Sequence, residues 1–362
     1  MAGADGRPSG GDPTPTPSEL KEVGRRAGLD AVGIAAAEIF TSTRRDLEER
    51  KAAGLHGGMA FTYRRPERST DPGLAVSGAR SIVVGAIAYR GGSDGPPPAG
   101  PPAGRVAAYA REDRYGALRG ALKVIASTLL AAGHRARVLV DDNGLVDREA
   151  ARRAGLGWYG KSSNLLLPGR GSWFVLGSVI TTAPLEADGE PVPDGCGSCR
   201  RCLDACPTGA IVAPGVVDAG RCLSWLLQQR GSFPIAHRAA LGDRIYGCDD
   251  CQEVCPPNKR VEIRGGSPAA VDATWVHLLD MLSADDATLL ERHGRWYIAD
   301  RDPRWLRRNA LVVLGNVAAP GDIATAAAIA RYRDGDDPVL AEHAAWAADQ
   351  IEARGAEANS PA

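Results

Sequence analysis

Eight cysteines between positions 196 and 255 carry the strongest chemical signal in this chain. The first four follow the spacing C-x2-C-x2-C-x3-C before Pro207, and the last three follow C-x2-C-x3-C before Pro256. Three thiolates at two-residue gaps can wrap one face of an iron–sulfur cube, and the fourth cysteine of such a run ligates the other cube in two-cluster ferredoxins. The spacing therefore predicts two 4Fe–4S clusters. Cluster 1 is expected to bind Cys196, Cys199, Cys202 and Cys255, and cluster 2 to bind Cys206, Cys222, Cys248 and Cys251.

Two other uses of clustered cysteines fit this spacing less well. A structural zinc site normally separates two cysteine pairs by a dozen or more residues, and a disulfide framework requires an oxidising compartment. The first ~30 residues contain no apolar segment typical of a signal peptide, and no apolar run reaches the ~18 residues of a membrane span. We therefore expect a cytoplasmic protein without a membrane partner, whose thiols are reduced.

Length and composition leave room for several domains but give little functional information. The 362 residues are 44% hydrophobic and 24% charged, with a net charge of −1. Such a chain can form two or three globular domains, and any contact with nucleic acid must use a local basic patch. Residues 1–17 and 356–362 are rich in small and polar residues and are predicted to be disordered tails.

The elements that must position these cysteines begin with a mixed domain of helices and strands over residues 18–190. Its class is predicted as α+β or α/β, with an unknown strand order. Ser18 is the expected N-cap of the first helix. Strands are predicted at Ala31–Ala36, Ser81–Tyr89, Val138–Val140 and Trp173–Thr181, and helices at Thr43–Ala53, around Leu118–Leu129 and at Asp147–Ala154.

The rest of the chain is predicted to form a ferredoxin-like domain at 191–262 and a helical region at 263–355. Apolar residues at helical spacing define one buried face of a helix there. These residues are Leu306, Ala310, Val313, Leu314 and Val317. A second helix is expected at Pro338–Ile351 after a short Asp/Gly turn. The pair resembles one HEAT-like repeat, which needs a neighbouring domain to bury its face.

A second candidate site lies in a block of acidic, glycine and aromatic residues between positions 140 and 173. Asp141 ends a predicted strand, where open sheets often place catalytic carboxylates, although a turn or helix-capping aspartate is the commoner use. Gly155, Gly157 and Gly160 allow a backbone to approach a large ligand, or simply form a loop. Lys161 is either a partner for a phosphate or carboxamide group or a solvated lysine.

Taken together, these segments resemble the epoxyqueuosine reductase family. The resemblance extends over most of the chain, and its most specific part is the string Arg244-Ile245-Tyr246-Gly247-Cys248-Asp249-Asp250-Cys251. Further matching segments are Asp141 … Asp147-Arg148, Ala154-Gly155-Leu156-Gly157-Trp158, Gly171-Ser172-Trp173, His56-Gly57-Gly58-Met59 and Arg308-Asn309-Ala310. Two departures are visible, because many members have Glu at the position of Asp147 and a different segment where this chain has Ser162-Ser163-Asn164.

The resemblance implies an enzyme of the last step of queuosine synthesis. Members of the family remove the epoxide oxygen from epoxyqueuosine at the wobble position of tRNA, using two 4Fe–4S clusters and a cobalamin. Residues 18–190 would then be the cobalamin-binding catalytic domain, with Asp141 as proton donor. The resemblance also implies cobalamin contacts at Arg64, Asp141, Lys161, Ser224, Cys248 and Asp249. We expect a monomer that takes electrons from an external low-potential donor.

A candidate tRNA contact is a cluster of arginines near the predicted helix at 306–317. The cluster comprises Arg295, Arg301, Arg304, Arg307 and Arg308, with Asp300 and Asp302 as its acidic neighbours. Arg304, Arg307 and Arg308 are the expected phosphate contacts, and the alternative is a solvated charged helix face. Trp296, Tyr297 and Trp305 would either stack on bases or belong to the core.

Two other functions remain compatible with the cysteine pattern. One is a corrinoid and iron–sulfur reductase of the reductive dehalogenase type acting on a small molecule. Such enzymes usually carry an export signal and have no need for arginine-rich terminal helices. The other is a non-enzymatic electron carrier, which would leave the domain at 18–190 and the block around Asp141 without a role.

Overall fold

A four-stranded antiparallel sheet is the frame of the first half of the chain. The computed structural model describes residues 14–89, 95–189, 192–263 and 274–358. The strands are β1 (Ala31–Ala36), β2 (Ser81–Ala88), β3 (Ala103–Val106), β4 (Ala136–Val140), β5 (Trp158–Tyr159), β6 (Leu165–Leu166) and β7 (Phe174–Thr181). The helices are α1 (Pro17–Arg26), α2 (Thr41–Ala52), α3 (Pro66–Ser69), α4 (Pro72–Ala75), α5 (Arg114–Ala131) and α6 (Asp147–Arg153). The main sheet has the order β1-β2-β7-β4, with every neighbouring pair antiparallel.

Both faces of this sheet are covered, so its strand β2 is buried from Ser81 to Ile87 and is apolar after Ser81. Val83 points to a core shared with α1 and α5, whereas Ile82 and Val84 point to a second core shared with α6. Successive side chains of a strand alternate between the two faces. The antiparallel pairing and separate helices make the domain α+β, and exclude the parallel α/β alternative.

The predicted strands and helices of this half are present, with small shifts at their ends. The first helix begins at Pro17, and its N-cap is Thr16 rather than the predicted Ser18. The Thr16 hydroxyl accepts a hydrogen bond from Glu19 N (3.3 Å), and the Glu19 carboxylate accepts one from Thr16 N (2.8 Å). This capping box satisfies two free backbone donors. The predicted tail at 1–17 is therefore wrong for its last residues, and residues 1–13 lie outside the described part.

The second half of the chain contains short elements around the cysteines and then a helical region. Its strands are β8 (Ile211–Ala213), β9 (Val216–Val217), β10 (Arg244–Tyr246) and β11 (Trp275–His277). Its helices are α7 (Arg201–Asp204), α8 (Leu223–Leu226), α9 (Ile235–Leu241), α10 (Asp250–Glu253), α11 (Pro256–Ile263), α12 (Leu278–Ser283), α13 (Asp286–His293), α14 (Arg304–Val317), α15 (Ile323–Arg333) and α16 (Pro338–Ala358). Strand β3 lies between β10 and β11, parallel to the first and antiparallel to the second, and so joins three distant parts of the sequence.

The helical region does not pack as a unit separate from the cysteine segment. One core contains Leu223, Leu226 and Phe233 together with residues of α12, α14 and α16. The predicted division at residue 262/263 therefore does not correspond to a boundary in the packing. The pairing of the helices at 304–317 and 338–358 agrees with the expected helix pair, but α15 occupies the segment where only a turn was expected. The last helix also continues to Ala358, beyond the predicted tail boundary at 356.

Candidate active site

A cavity of about 890 Å³ lies between the main sheet and the cysteine segment. Its walls come from α2, the loop at 59–63, the turn after β4, the start of α6, and the segments that carry Cys206, Cys222, Cys248 and Cys251. The lining combines apolar side chains such as Leu145 with several tyrosines and carboxylates. Large, partly apolar cavities with a few polar groups are typical of cofactor sites.

Asp141 lies at the end of β4 and faces this cavity. Its φ of 51° is in the left-handed region, a conformation that is uncommon for residues other than glycine and is often found at functional sites. The turn is held from both sides: the Asp142 carboxylate accepts a hydrogen bond from Gly144 N (2.7 Å), and the Asn143 side chain accepts one from Thr62 N (2.9 Å). The turn is thus fastened to the loop at 59–63.

The protonation of Asp141 is shifted by its surroundings. Burial raises its pKa, the nearby charge of Arg119 opposes the rise, and Asp142 adds to it. Since the side chain itself is exposed on the open side of the cavity, the shift comes from the surrounding protein rather than from complete enclosure. A carboxyl group with a raised pKa keeps its proton to higher pH and can therefore act as a general acid.

Four thiols are not among the described residues that line the cavity, and we call them the first group. They are Cys196, Cys199, Cys202 and Cys255. Burial raises the pKa of Cys255 to about 11, and the nearby thiolate charges of Cys196, Cys202 and Cys199 add to this rise. Cys255 belongs to the second cysteine run in sequence, but its electrostatic neighbours are the three cysteines of the first. Lys161 fixes the loop of the first run, because its ammonium group donates hydrogen bonds to the backbone carbonyls of Gly197 (2.6 Å) and Cys199 (2.9 Å).

The other four thiols line the cavity, and we call them the second group. They are Cys206, Cys222, Cys248 and Cys251. Burial raises the pKa of Cys222, with a contribution from Cys206, and raises the pKa of Cys248, with a contribution from Cys222. Burial also raises the pKa of Cys251 strongly, and the charges of Cys248, Cys222 and Cys202 add to it. Because Cys202 belongs to the first group, the two groups are neighbours. Iron ions would stabilise the thiolate forms that burial disfavours, so the residues present fit two clusters.

Hydrogen-bond donors also reach the sulfur atoms of the second group. The backbone N–H of Ala210 donates to Cys206 Sγ (3.2 Å), and the side-chain amide of Asn164 lies 3.8 Å from Cys251 Sγ. Donors to ligand sulfur are among the factors that set the reduction potential of an iron–sulfur cluster. Asn164 belongs to the segment in which this chain departs from the common family sequence, and its position was not foreseen from the sequence.

A buried polar network holds the second cysteine run against the sheet domain. The Asp249 carboxylate accepts hydrogen bonds from Ala108 N (2.6 Å) and from the Gln252 side-chain amide (3.3 Å). Gln252 in turn accepts hydrogen bonds from Ser172 Oγ (2.9 Å) and Tyr89 Oη (3.2 Å). Paired groups of this kind fix geometry where both partners are enclosed. This contact explains why the Gly-Ser-Trp segment and the second cysteine run occur in one sequence signature.

The predicted cobalamin contacts fall into two sets. Ser224, Cys248 and Asp249 line the cavity together with Asp141. Arg64 and Lys161 are not among the described lining residues: Arg64 is exposed one residue beyond the lining loop at 59–63, and Lys161 is hydrogen-bonded to the first cysteine loop. Lys161 therefore has a structural contact that the sequence did not indicate. Tyr109 and Tyr115 were not foreseen, although both line the cavity.

The predicted phosphate contacts are wrong for Arg308 and find no support for Arg304 and Arg307. Arg308 is fully buried, and its guanidinium donates to backbone carbonyls at 226–231. Arg307 pairs with Asp286 and donates to Ala284 O, and Arg304 pairs with Asp302 and Asp337. The helix that carries them packs on several sides, so its polar residues Arg308 and Asn309 are buried, whereas the Arg304 side chain stays partly exposed. Of the nearby aromatic residues, Trp296 and Trp305 are buried and Tyr297 is exposed.

Comparison with known proteins identifies the family. Residues 195–258 match the family model described as a 4Fe-4S double cluster binding domain. The chain is 37% identical to the epoxyqueuosine reductase of Burkholderia pseudomallei, over 91% of each protein. It is 35% identical to that of Xanthomonas campestris, over 94% of this chain and 97% of the relative.

The chain belongs to the epoxyqueuosine reductase family.

Solved structures of epoxyqueuosine reductases share the fold of most of the chain. A crystal structure with a tRNA-Tyr epoxyqueuosine-modified stem loop is 31% identical, with a TM-score of 0.82, and the match covers 95% of this chain and 94% of that one. A structure of the Bacillus subtilis epoxyqueuosine reductase is 32% identical, with a TM-score of 0.82, over 92% and 90% of the two chains. These comparisons confirm the resemblance predicted from the sequence. Within the described residues, no helix is long and apolar enough to span a membrane.

Proposed function

We propose that this protein reduces epoxyqueuosine in tRNA to queuosine. The observation that carries the proposal is the cavity with Asp141 on one wall and four cysteine thiols on another. The family relationship supports the same reaction, and the tRNA stem loop bound by a related enzyme supports the same class of substrate. The reaction breaks two carbon–oxygen bonds, forms one carbon–carbon double bond, consumes two electrons and two protons, and releases water.

The proposed cluster ligands are the crossed sets predicted from the sequence. Cluster 1 would use Cys196, Cys199, Cys202 and Cys255, and cluster 2 would use Cys206, Cys222, Cys248 and Cys251. The electrostatic contacts of Cys255 with the first run, and of Cys222 with Cys206, support this division. Each cluster transfers one electron, so two neighbouring clusters can deliver the pair in sequence. Cluster 2 would face the cavity.

A cobalamin is the cofactor that we propose for the cavity, where it would supply the reducing chemistry at the carbon–oxygen bond. Ser224, Cys248 and Asp249 would hold it on the cluster side, and Arg64 would reach it from the rim. Asp249 is positioned by Ala108 N and Gln252. Asp141, on the opposite wall, would donate a proton to the epoxide oxygen as the carbon–oxygen bond breaks.

The proposal also covers the electron donor, the oligomeric state, the cellular location and the division of the chain. Electrons would come from an external low-potential donor, because the clusters store reducing equivalents but do not generate them. One chain carries the cavity, both thiol groups and Asp141, so a monomer is sufficient for catalysis. The protein would work in the cytoplasm, where a reducing environment keeps thiolates available to bind iron. Residues 18–190 would be the catalytic part, 191–262 the cluster part and 263–355 the HEAT-like part, the last two sharing one hydrophobic core.

The decisive experiment replaces Asp141 with Asn and measures turnover of epoxyqueuosine-modified tRNA at saturating cobalamin. Loss of a general acid typically lowers the rate by ~10²–10⁴-fold, and we expect a loss in that range. Iron content should not change, because no cysteine is altered, and tRNA affinity should persist, because an amide of the same size replaces the carboxyl group. Asp142→Asn is the matched control, since an Asn there can still accept the hydrogen bond from Gly144 N. Equal losses in both variants would exclude Asp141 as the proton donor.

A further inference from the structure

Asp147 is a cavity-lining carboxyl group that neither the cluster ligation nor the proton donation by Asp141 uses. It is the first residue of α6 and lines the same cavity as Asp141. Its Oδ1 atom is inaccessible to solvent and has no hydrogen-bond partner among the described residues. An ionised carboxylate with an unpaired, buried oxygen is costly. The neutral, protonated form is the one that this position favours.

The charges that face Asp147 make its ionisation harder still. Burial raises its pKa strongly, the carboxylates of Asp141 and Asp142 add to the rise, and Arg148 opposes it. The pKa of Tyr115, a cavity-lining residue of α5, is raised by burial and also by the carboxylates of Asp141 and Asp147. A phenol near both carboxyl groups is able to pass a proton between them. Two acids of unequal enclosure therefore share one electrostatic environment, a common arrangement in acid–base pairs.

We infer that Asp147 is the proton reservoir of this site, which supplies the second proton of the reduction through Asp141. This inference rests on the proposed function. Asp141 gives the first proton to the epoxide oxygen as the first carbon–oxygen bond breaks. Asp147 then passes its proton to the Asp141 carboxylate, by way of Tyr115 or a water molecule. Asp141 donates a second time as the other carbon–oxygen bond breaks, and the oxygen leaves as water. Both protons and both electrons are then accounted for.

The role of Asp147 as a reservoir predicts a specific pH dependence. Neutral Asp147 is present below its raised pKa, so turnover of the native enzyme should fall as the pH rises through that pKa. In Asp147→Asn this ionisation is absent, and a proton must come from solvent. We expect turnover to fall roughly 10–100-fold, less than for loss of the donor itself, and the corresponding limb of the pH profile to disappear. Asp147→Glu should restore both the turnover and this limb of the pH profile, because it keeps a carboxyl group at the position.

Infrared spectroscopy of the cluster-loaded protein without cobalamin tests the protonation independently of activity. Above the usual titration range of aspartate, the native protein should show the carbonyl band of a protonated carboxyl group. Asp147→Asn should lose part of this band, whereas Asp142→Asn should keep it. Iron content and circular dichroism establish that each variant is folded. If Asp147→Asn does not fold, the test is whether the carbonyl band changes its frequency in Asp147→Glu, as it must if residue 147 holds the proton.

The outcomes separate this inference from the proposed function. If native enzyme does not reduce epoxyqueuosine-tRNA, the proposed function fails, and with it the role of Asp147 in that reaction. If native enzyme is active but Asp147→Asn keeps its turnover and pH profile, only the reservoir is excluded. An unchanged infrared band in Asp147→Asn would equally overturn it, since Asp147 would then not hold the proton.

Discussion

Arg308 provides the sharpest test of how the helical region supports the clusters. Its guanidinium donates to the carbonyl oxygens of Leu226 (3.0 Å), Leu227 (3.2 Å), Gln229 (2.7 Å) and Gly231 (2.8 Å). These carbonyls follow the cluster 2 ligand that we propose at Cys222. Replacing Arg308 with Met keeps an unbranched side chain of similar length but removes every donor. The segment at 226–231 should lose its attachment to α14.

The size of the effect follows from counting the carbonyls left without a donor. All four carbonyls lose Arg308 as a donor, but Leu227 O still accepts a hydrogen bond from the Asn309 side chain (2.9 Å). Three carbonyls are therefore left without a side-chain donor. An unsatisfied buried group costs about 1–3 kcal/mol, and the bonds to Gln229 O and Gly231 O are only partly buried. Using the lower part of that range, the free energy of unfolding should fall by roughly 3–5 kcal/mol. This range agrees with the cost of breaking other buried charged networks. With an unfolding entropy of about 2.1 cal/mol/K per residue, the melting temperature of a chain of this length should fall by roughly 4–7 °C.

The assay is a thermal melt followed by circular dichroism, together with amide hydrogen exchange over residues 226–233. Arg333→Met is the matched control, because Arg333 is exposed and pairs with its neighbour Asp334, and exposed pairs contribute less than ~1 kcal/mol. The salt dependence of tRNA binding should be unchanged in folded Arg308→Met. An unaltered melting temperature, with a log-salt slope reduced by about one unit, would mean that Arg308 is a phosphate contact after all.

Two further predictions concern the clusters. Changing Cys255 to Ala should lower the iron content of anaerobically prepared protein from about eight to about four per chain, with the spectrum of cluster 2 retained; loss of cluster 2 with cluster 1 intact would contradict the crossed ligand sets. Changing Asn164 to Ala removes the amide that lies 3.8 Å from Cys251 Sγ. Loss of a hydrogen bond of about 0.5–1.5 kcal/mol should make the one-electron reduction potential of cluster 2 more negative by roughly 20–65 mV. A redox titration followed by electron paramagnetic resonance measures this shift, and an unchanged potential would show that the amide does not act on the cluster.

The sequence predicted those features that depend on local spacing. The cysteine intervals predicted two sets of four thiols, and apolar runs such as Ser81–Ala88 predicted the strands. The antiparallel order of the sheet was not predictable, because β2 is buried on both faces and its continuous apolar run resembles that of a strand in a parallel sheet. The helix at Ile323–Arg333 was missed because its alanine-rich sequence has no clear apolar stripe.

The arginine cluster shows why charge in a sequence is a poor guide to the surface. Arg304, Arg307 and Arg308 were placed on an exposed face, because the apolar residues of the helix occupy the opposite one. The helix in fact packs against α9, α12 and α16, so Arg308 and Asn309, which lie away from the apolar stripe, are buried as well. Asp147 was noticed only as a departure from the family sequence. Its unpaired oxygen depends on the three-dimensional surroundings, which no spacing reveals.

The small sheet of β3, β10 and β11 has a consequence for producing parts of this protein separately. Strand β3 belongs to the first half of the sequence, yet both of its hydrogen-bonding edges are occupied by strands from the second half. A fragment ending near residue 189 would expose both edges to solvent, and unpaired edges are templates for association between chains. A recombinant catalytic fragment would therefore be prone to aggregate. The same argument indicates that insertions into the Ala103–Val106 segment are tolerated poorly, although it lies far from the cysteines in sequence.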